Sequence, residues 1–98
     1  MSAGPPSRAG WTFLSNHGHV LMCLAADPDA RLRDIAHRVG ITERTVFGIV
    51  EHLVDAGVLV RERVGRRNTY TIDRSVHLRH QIEASSTVGD LIELLGPG

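Results

Sequence analysis

The chain has 98 residues, of which 42% are hydrophobic, so it can bury the core of one small domain and general disorder is excluded. Its formal net charge is zero, and no apolar run approaches the roughly 18 residues that a membrane span needs. The single cysteine, Cys23, excludes an internal disulfide and a Cys-rich zinc site, and we expect it to be a small buried hydrophobe.

The positive charge is concentrated in one short segment. Residues 61–74 contain five arginines against Glu62 and Asp73, whereas residues 1–60 and residues 75–98 each carry a small negative net charge. A neutral chain gives no general sign of nucleic-acid binding, but a local arginine cluster is the kind of footprint that binds phosphates. Lysine is absent from the whole chain, which indicates a compositional bias rather than selection at one site.

The N-terminal residues 1–12 are expected to form a flexible tail. The first ten are rich in Gly, Pro, Ser and Ala and contain no hydrophobic segment of the kind found in signal peptides. We therefore expect a cytoplasmic protein that does not enter a membrane.

The first helix is predicted to begin at Ser15 or Asn16, with Asn16 as its N-cap. It should end near Ala26, because Asp-Pro-Asp at 27–29 is typical of a turn. One apolar face has helical spacing and comprises Leu14, Gly18, Leu21 and Ala25, flanked by Val20 and Leu24.

Two further helices joined by a tight turn follow. Apolar residues at helical spacing predict a helix over 32–39, with Gly40 as a left-handed C-cap. Thr42 then caps a helix over 43–56 that ends at Gly57. The inward stripes of the two helices are Leu32, Ile35, Ala36 and Val39 in the first, and Val46, Ile49, Val50 and Leu53 in the second.

The period of the pattern then changes from 3.6 to 2. Residues 58–64 and 69–73 alternate and are rich in β-branched side chains, which predicts a β-hairpin with a Gly-Arg-Arg-Asn loop at 65–68. Residues 74–86 are polar and give no clear assignment.

A short amphipathic helix is predicted over 88–95. Thr87 is its N-cap, and Asp90 at the third helical position completes a capping box. We expect its apolar stripe to form a homodimer interface, since so small a domain gains stability from a partner. The stripe comprises Val88, Leu91, Ile92 and Leu95.

The order helix, turn, helix, hairpin resembles the winged helix-turn-helix domain of the MarR/ArsR-like bacterial transcriptional regulators over about residues 14–73. The matching features are Leu32-x-x-Ile35-Ala36, Val39-Gly40-Ile41-Thr42, Thr45-Val46, Leu53, and Ala56-Gly57-Val58-Leu59-Val60. The resemblance implies an α+β, mainly α fold with a three-helix core, a two-stranded β-wing and a C-terminal helix. The DNA-binding domain would occupy 13–73, followed by a C-terminal extension over 74–98.

The resemblance also implies binding of double-stranded DNA by a dimer. Helix 43–56 would enter the major groove, and the hairpin loop would contact the minor groove or the backbone. The positions of this helix and its cap that face DNA in such domains are held here by Thr42, Arg44, Thr45, Phe47, Gly48, Glu51 and His52. Arg33 and Arg38 flank the turn, Arg61 and Arg63 should share one strand face, and Arg66 and Arg67 should lie at the wing tip.

The predicted recognition helix departs from a typical basic one. Its single arginine, Arg44, stands against Glu43, Glu51 and Asp55, and this acidic balance opposes the approach of phosphates. We therefore expect weak, salt-sensitive DNA binding dominated by the wing. Phe47 suits a thymine methyl group but equally suits a protein partner. A winged helix that binds another protein is thus the first alternative.

Six histidines raise the question of a metal sensor, a class that ArsR-like relatives include. His77, His80 and Glu83 would share a face if residues 76–84 were helical, but their spacing matches no metal motif. We therefore predict no metal and no cofactor, and keep a metal- or small-ligand-responsive repressor as the second alternative. The sequence does not indicate an effector.

The sequence contains no enzyme signature. There is no Ser/His/Asp order, no paired-carboxylate motif and no Gly-rich phosphate loop. The predicted function is that of a sequence-specific transcriptional regulator that acts by occupying an operator.

Overall fold

The computed structural model describes residues 10–96 of the chain. These residues form four helices, α1 (Asn16–Ala26), α2 (Leu32–Val39), α3 (Glu43–Asp55) and α4 (Val88–Leu95). Two strands, β1 (Leu59–Val64) and β2 (Arg67–Ile72), lie between α3 and α4 in the chain. The predicted fold class is confirmed, whereas most of the predicted tail falls on residues 1–9, outside the described part.

One hydrophobic core lies where α1, α2, α3 and the start of the hairpin meet. Each element contributes side chains that are almost fully buried: Val20 and Leu24 from α1, Ile35 from α2, Val46 and Val50 from α3, and Leu59 from β1. Cys23 is also buried, as predicted. Because the inward stripe of α3 is sealed by this packing, the opposite face of α3 is turned to solvent.

The helix caps define where α2 ends and where α1 and α3 begin. Gly40 ends α2 in the left-handed conformation, with φ of +86°, and its N–H bonds the Ala36 carbonyl at 2.8 Å. Two residues later the Thr42 hydroxyl caps α3. Both caps are as predicted. At α1, however, the cap is Ser15 and not Asn16, since Ser15 has the extended backbone and its hydroxyl accepts from the Gly18 N–H.

The hairpin differs from the prediction at its tip. The strands pair antiparallel up to Val64 and Arg67, so the turn contains only Gly65 and Arg66 instead of the four residues 65–68. Gly65 has a φ of +63° and Arg66 does not have a positive φ, a combination typical of a tight type II′ hairpin turn. Arg67 therefore belongs to β2 and not to the loop.

The segment between β2 and α4 is irregular but ordered by backbone hydrogen bonds. Val76 accepts from the Val88 N–H at 2.8 Å, and a single β-bridge joins His77 to Thr87. Gly89 approaches the Arg74 backbone so closely that a Cβ would lie 3.0 Å from its carbonyl oxygen. These contacts fix α4, which begins with the predicted capping box, against the body of the domain. No helix within residues 10–96 is long and apolar enough to cross a membrane.

Candidate nucleic-acid interface

The solvent-facing side of α3 is the centre of the candidate interface. Arg44, Gly48 and Glu51 follow one another at helical spacing along the middle of this face. Phe47 flanks them on the side of the wing and is 53% exposed. The exposed face is therefore mixed: a cation, a bare backbone position, a carboxylate and an aromatic ring.

The N-terminus of α3 presents two hydroxyl groups. The Thr42 Oγ1 accepts from the Thr45 N–H at 3.1 Å, and the two hydroxyl oxygens are 2.9 Å apart. Both predicted contact residues are thus held by the helix cap, which fixes their positions before any ligand arrives. Exposed hydroxyls and the positive end of a helix dipole together suit a phosphate oxygen.

A groove of about 340 Å³ separates α3 from the wing. Phe47 lines it from α3, Arg31 from the start of α2, and Arg61, Arg67 and Tyr70 from the two strands. The guanidinium carbon of Arg61 lies 5.9 Å from the centre of the Tyr70 ring, within the range of a cation–π contact. The groove is open, bordered by arginines and continuous with the face of α3.

An ion pair joins the wing to the recognition helix. Arg61 of β1 donates to the Glu51 carboxylate of α3, and each side chain is about one third exposed. This hydrogen bond raises the pKa of the Arg61 guanidinium, which burial partly opposes. The pair cancels one of the acidic charges that oppose phosphate approach, but it also occupies one of the predicted DNA-binding arginines.

A second arginine of the wing is held by the loop between α1 and α2. Arg67 donates to the Asp29 carbonyl at 2.8 Å, and the Thr69 hydroxyl donates to the Asp29 carboxylate at 2.8 Å. The Tyr70 N–H also reaches the Pro28 carbonyl at 3.3 Å. Arg67 is thus held against the body of the domain, whereas Arg66 in the turn forms no hydrogen bond or ion pair within residues 10–96.

Four of the predicted arginines are exposed and form no hydrogen bond or ion pair with any residue in 10–96. They are Arg33 and Arg38 on α2, Arg44 on α3 and Arg66 in the hairpin turn. Arg63 bends back to the Gly65 carbonyl at 3.3 Å and stays exposed at the end of the wing. The available positive charge therefore comes from α2, α3 and the wing tip together, and not from the wing alone.

His52 lies at the opposite edge of α3, toward α1. Its Nδ1 is 3.0 Å from Nε2 of His17, and the two rings are nearly parallel, with centroids 5.3 Å apart. The two ring centres are too far apart for face-to-face stacking. The rings instead meet edge to edge, joined by one N–H···N hydrogen bond. His52 thus links α3 to α1, although it belongs to the predicted DNA-contact set.

A second cleft, of about 470 Å³, lies between α1, α4 and the segment that precedes α4. Its walls include Phe13, Leu21 and Leu91, with Arg79 and Glu83 among its polar residues.

The histidines that suggested a metal site do not share a helix face. Residues 76–84 are not helical, and the His77 Nδ1 lies 2.6 Å from the Ala84 carbonyl oxygen. Among residues 10–96 no three His, Cys, Asp or Glu side chains converge as metal ligands would.

The predicted dimer stripe on α4 is divided by the fold. Val88 and Ile92 are buried in the core of this chain, and Leu91 lines the cleft and is half-buried. Leu95 remains 49% exposed, and its neighbour Leu94, which was not in the predicted stripe, is 79% exposed. The apolar surface of α4 that is open to a partner is therefore centred on Leu94 and Leu95.

The comparison with protein families decides the assignment. A sequence model of the MarR family matches residues 15–64, just over half of the chain, from α1 through β1. The chain belongs to the MarR family. Members of this family are DNA-binding transcriptional regulators, so the protein is a regulator of this kind and not an enzyme. The predicted resemblance to MarR-like regulators is thereby confirmed.

A solved structure supports the same fold for this MarR-family chain. This chain is similar to the PcaV transcriptional regulator from Streptomyces coelicolor, which was crystallised in complex with its natural ligand. The TM-score is 0.54 at 23% sequence identity, covering 74% of this chain and 68% of that one. No curated protein matches the chain.

Sequence reasoning missed the contacts that hold the wing. Arg31, which lines the groove, was not among the predicted site residues, and Asp29 was interpreted only as part of a turn. The contacts of Asp29 with Arg67 and Thr69 join positions about 40 residues apart, and no local pattern reports such a distance. The excess charge in residues 61–74 was the one available signal, but it did not separate free arginines from paired ones.

Proposed function

We propose that this MarR-family regulator recognises a specific operator by inserting α3 into the major groove and placing the hairpin turn against the adjacent minor groove. The observation that supports this proposal is that Arg44 of α3 and Arg66 of the turn are both exposed and form no hydrogen bond or ion pair within residues 10–96, while Arg61 of the wing neutralises Glu51 of α3. An arginine at a hairpin tip suits the electronegative minor groove.

The flanking arginines would hold the DNA backbone. Arg33 and Arg38 on α2 are exposed and form no hydrogen bond or ion pair within the described residues, and arginine forms bidentate bonds to phosphate oxygens. Thr42 and Thr45 would add hydroxyl contacts at the start of α3. In this assignment the wing contributes Arg63 and Arg66, whereas Arg61 and Arg67 position the wing, so binding is shared between the helices and the wing.

We infer that the functional unit is a cytoplasmic homodimer. Two large apolar side chains, Leu94 and Leu95, are exposed at the end of α4, and a domain of this size gains stability from covering such a surface. A two-fold axis would place the two α3 helices in successive major grooves, about 34 Å apart.

Selection of bound DNA from a random pool tests the DNA-binding proposal. We expect a selected site with two inverted half-sites whose centres are about one helical turn apart. Recovery of no enriched sequence at low salt would overturn operator recognition and favour the alternative in which this surface binds a protein.

Sedimentation of the full chain tests the dimer. We expect Leu94→Glu to shift the protein to a monomer, because a charge in an apolar contact is strongly unfavourable. Ile82→Glu is the matched control, since Ile82 is also highly exposed but lies outside α4. A wild-type monomer, or a dimer unaffected by Leu94→Glu, would contradict the inference.

A ligand-responsive regulator is the second candidate, and the cleft beside α4 is the observation that favours it. The cleft has the size of a small-molecule site, apolar walls and a few polar groups, among them Arg79. It also borders α4, so a ligand bound there could alter how the two subunits are spaced. Compounds that release the selected DNA from wild type, but not from Arg79→Ala, would support this candidate.

A further inference from the structure

Phe47 and Gly48 form an unusual pair in the middle of the recognition helix. Phe47 exposes half of a large aromatic ring to solvent, and Gly48 places a poor helix former in the second turn of α3. Both features are unfavourable for an isolated domain.

Intramolecular packing does not require a glycine at position 48. A Cβ built there meets nothing within 4 Å, in contrast to Gly89, where a Cβ would press on Arg74. Gly48 also lacks the positive φ that glycine alone adopts easily, a property seen at Gly40 and Gly65. Neither the fold nor the backbone conformation explains this glycine.

The missing side chain of Gly48 leaves open space on the exposed side of α3. Arg44 lies one turn before it and Glu51 one turn after it, so Gly48 is near the centre of the exposed face. Phe47 stands beside it and lines the groove toward the wing. The pair thus combines a backbone position without a side chain and an exposed aromatic ring, at the place where the proposed function puts the major groove.

We propose that Phe47 and Gly48 determine sequence specificity: the bare backbone at Gly48 lets α3 lie close to the base edges, and the Phe47 ring contacts the C5-methyl group of a thymine. This inference rests on the proposed function. The thymine methyl is the only apolar group on the base edges of the major groove, so it is the group that an exposed phenyl ring can select.

Replacing thymine by deoxyuridine, one position at a time in the selected site, removes the methyl group alone. We expect one thymine in each half-site at which this change weakens wild-type binding about fourfold, the scale of burying one methyl group. Phe47→Ala should bind the two DNAs equally. Ile82→Ala, which also truncates an exposed apolar side chain, should retain the full difference.

Gly48→Ala tests whether α3 lies close to the DNA at this position. The variant should raise the Tm and lower the affinity for DNA. Because alanine is the better helix former and meets no neighbour, we expect the Tm to rise by about 4 °C. The added methyl group should nevertheless lower DNA affinity about tenfold, the scale of overfilling a packed contact. The raised Tm excludes unfolding as the cause of the lost affinity.

The outcomes separate this inference from the proposed function. Wild type that selects a site but loses no affinity with any deoxyuridine, or Gly48→Ala that binds as tightly as wild type, overturns the role of the pair and leaves operator recognition intact. Wild type that selects no site overturns the proposed function, and the inference with it.

Discussion

The three-helix body and the wing are held in place by different kinds of interaction. The body is stabilised by buried side chains of α1, α2 and α3, whereas beyond Leu59 every residue of β1 is exposed. In the wing, Tyr70 of β2 is the buried side chain beyond Leu59. The wing is otherwise held by hydrogen bonds from Arg61 to Glu51 and from Arg67 and Thr69 to Asp29. The body should therefore respond strongly to changes of volume, and the wing to changes of charge and hydrogen bonding.

Truncation of a core side chain should have the largest effect. Leu24→Ala removes a side chain that is only 1% exposed, and we expect the free energy of unfolding to fall by about 2–5 kcal/mol. Val64→Ala, on the exposed part of β1, should change it by less than about 0.5 kcal/mol. Urea denaturation measures both, and similar losses in the two variants would contradict the contrast.

Loss of the hydrogen bond from the Thr69 hydroxyl should destabilise the wing without unfolding the body. Thr69→Val removes the bond to the Asp29 carboxylate at nearly constant shape, and we expect a loss of about 0.5–1.5 kcal/mol. Amide hydrogen exchange should accelerate in β2 but not in α1. Equal acceleration in both elements would show that the two regions unfold together.

The ion pair between the wing and α3 should have opposite effects on stability and on DNA binding. Glu51→Gln weakens a partly exposed pair, so we expect at most about 1 kcal/mol of lost stability. The same change removes a negative charge and frees Arg61, so the affinity for DNA should increase. If Arg61 gains a phosphate contact, the slope of log affinity against log salt should steepen by about 0.9. Unchanged affinity would mean that this pair lies outside the interface.

The smallest expected effect concerns the carboxylate that follows the wing. The hydroxyl and backbone N–H of Ser75 donate to Asp73 and lower its pKa below 3.8. This group therefore contributes stability above pH 3.8, and the contribution is lost as the pH falls through the lowered pKa. Asp73→Asn should be slightly less stable than wild type at pH 7 and equal to it in strong acid, as measured by denaturation at each pH.

The elements with local signals could be predicted from the sequence. Gly40, Thr42 and the Thr87–Asp90 pair act on backbone groups within a few residues. The pattern alone therefore located the C-terminus of α2 and the N-termini of α3 and α4. The choice between Ser15 and Asn16 was different, because both residue types cap helices well and only the backbone conformation distinguishes them. The hairpin tip was similar, since Arg67 and Asn68 are compatible with either a loop or a paired strand.

The candidate site was only partly predictable, because its charges are distributed by long-range contacts. The arginines of the wing look alike in sequence, but Arg61 and Arg67 meet partners on other elements while Arg66 does not. The apolar stripe of α4 was also only partly informative. Val88 and Leu95 belong to the same apolar pattern, but Val88 is buried in the core and Leu95 is exposed to solvent. An amphipathic pattern identifies an apolar face without saying what covers it.

Paired arginine variants test the central claim, that the side of the domain formed by α3 and the wing tip binds DNA. Arg66→Ala and Arg79→Ala each remove one positive charge, but Arg66 lies at the wing tip and Arg79 beside the cleft near α4. In a titration of the selected DNA at several salt concentrations, Arg66→Ala should weaken binding and reduce the salt slope by about 0.9, while Arg79→Ala should match wild type. Equal behaviour of the two variants would contradict the claim.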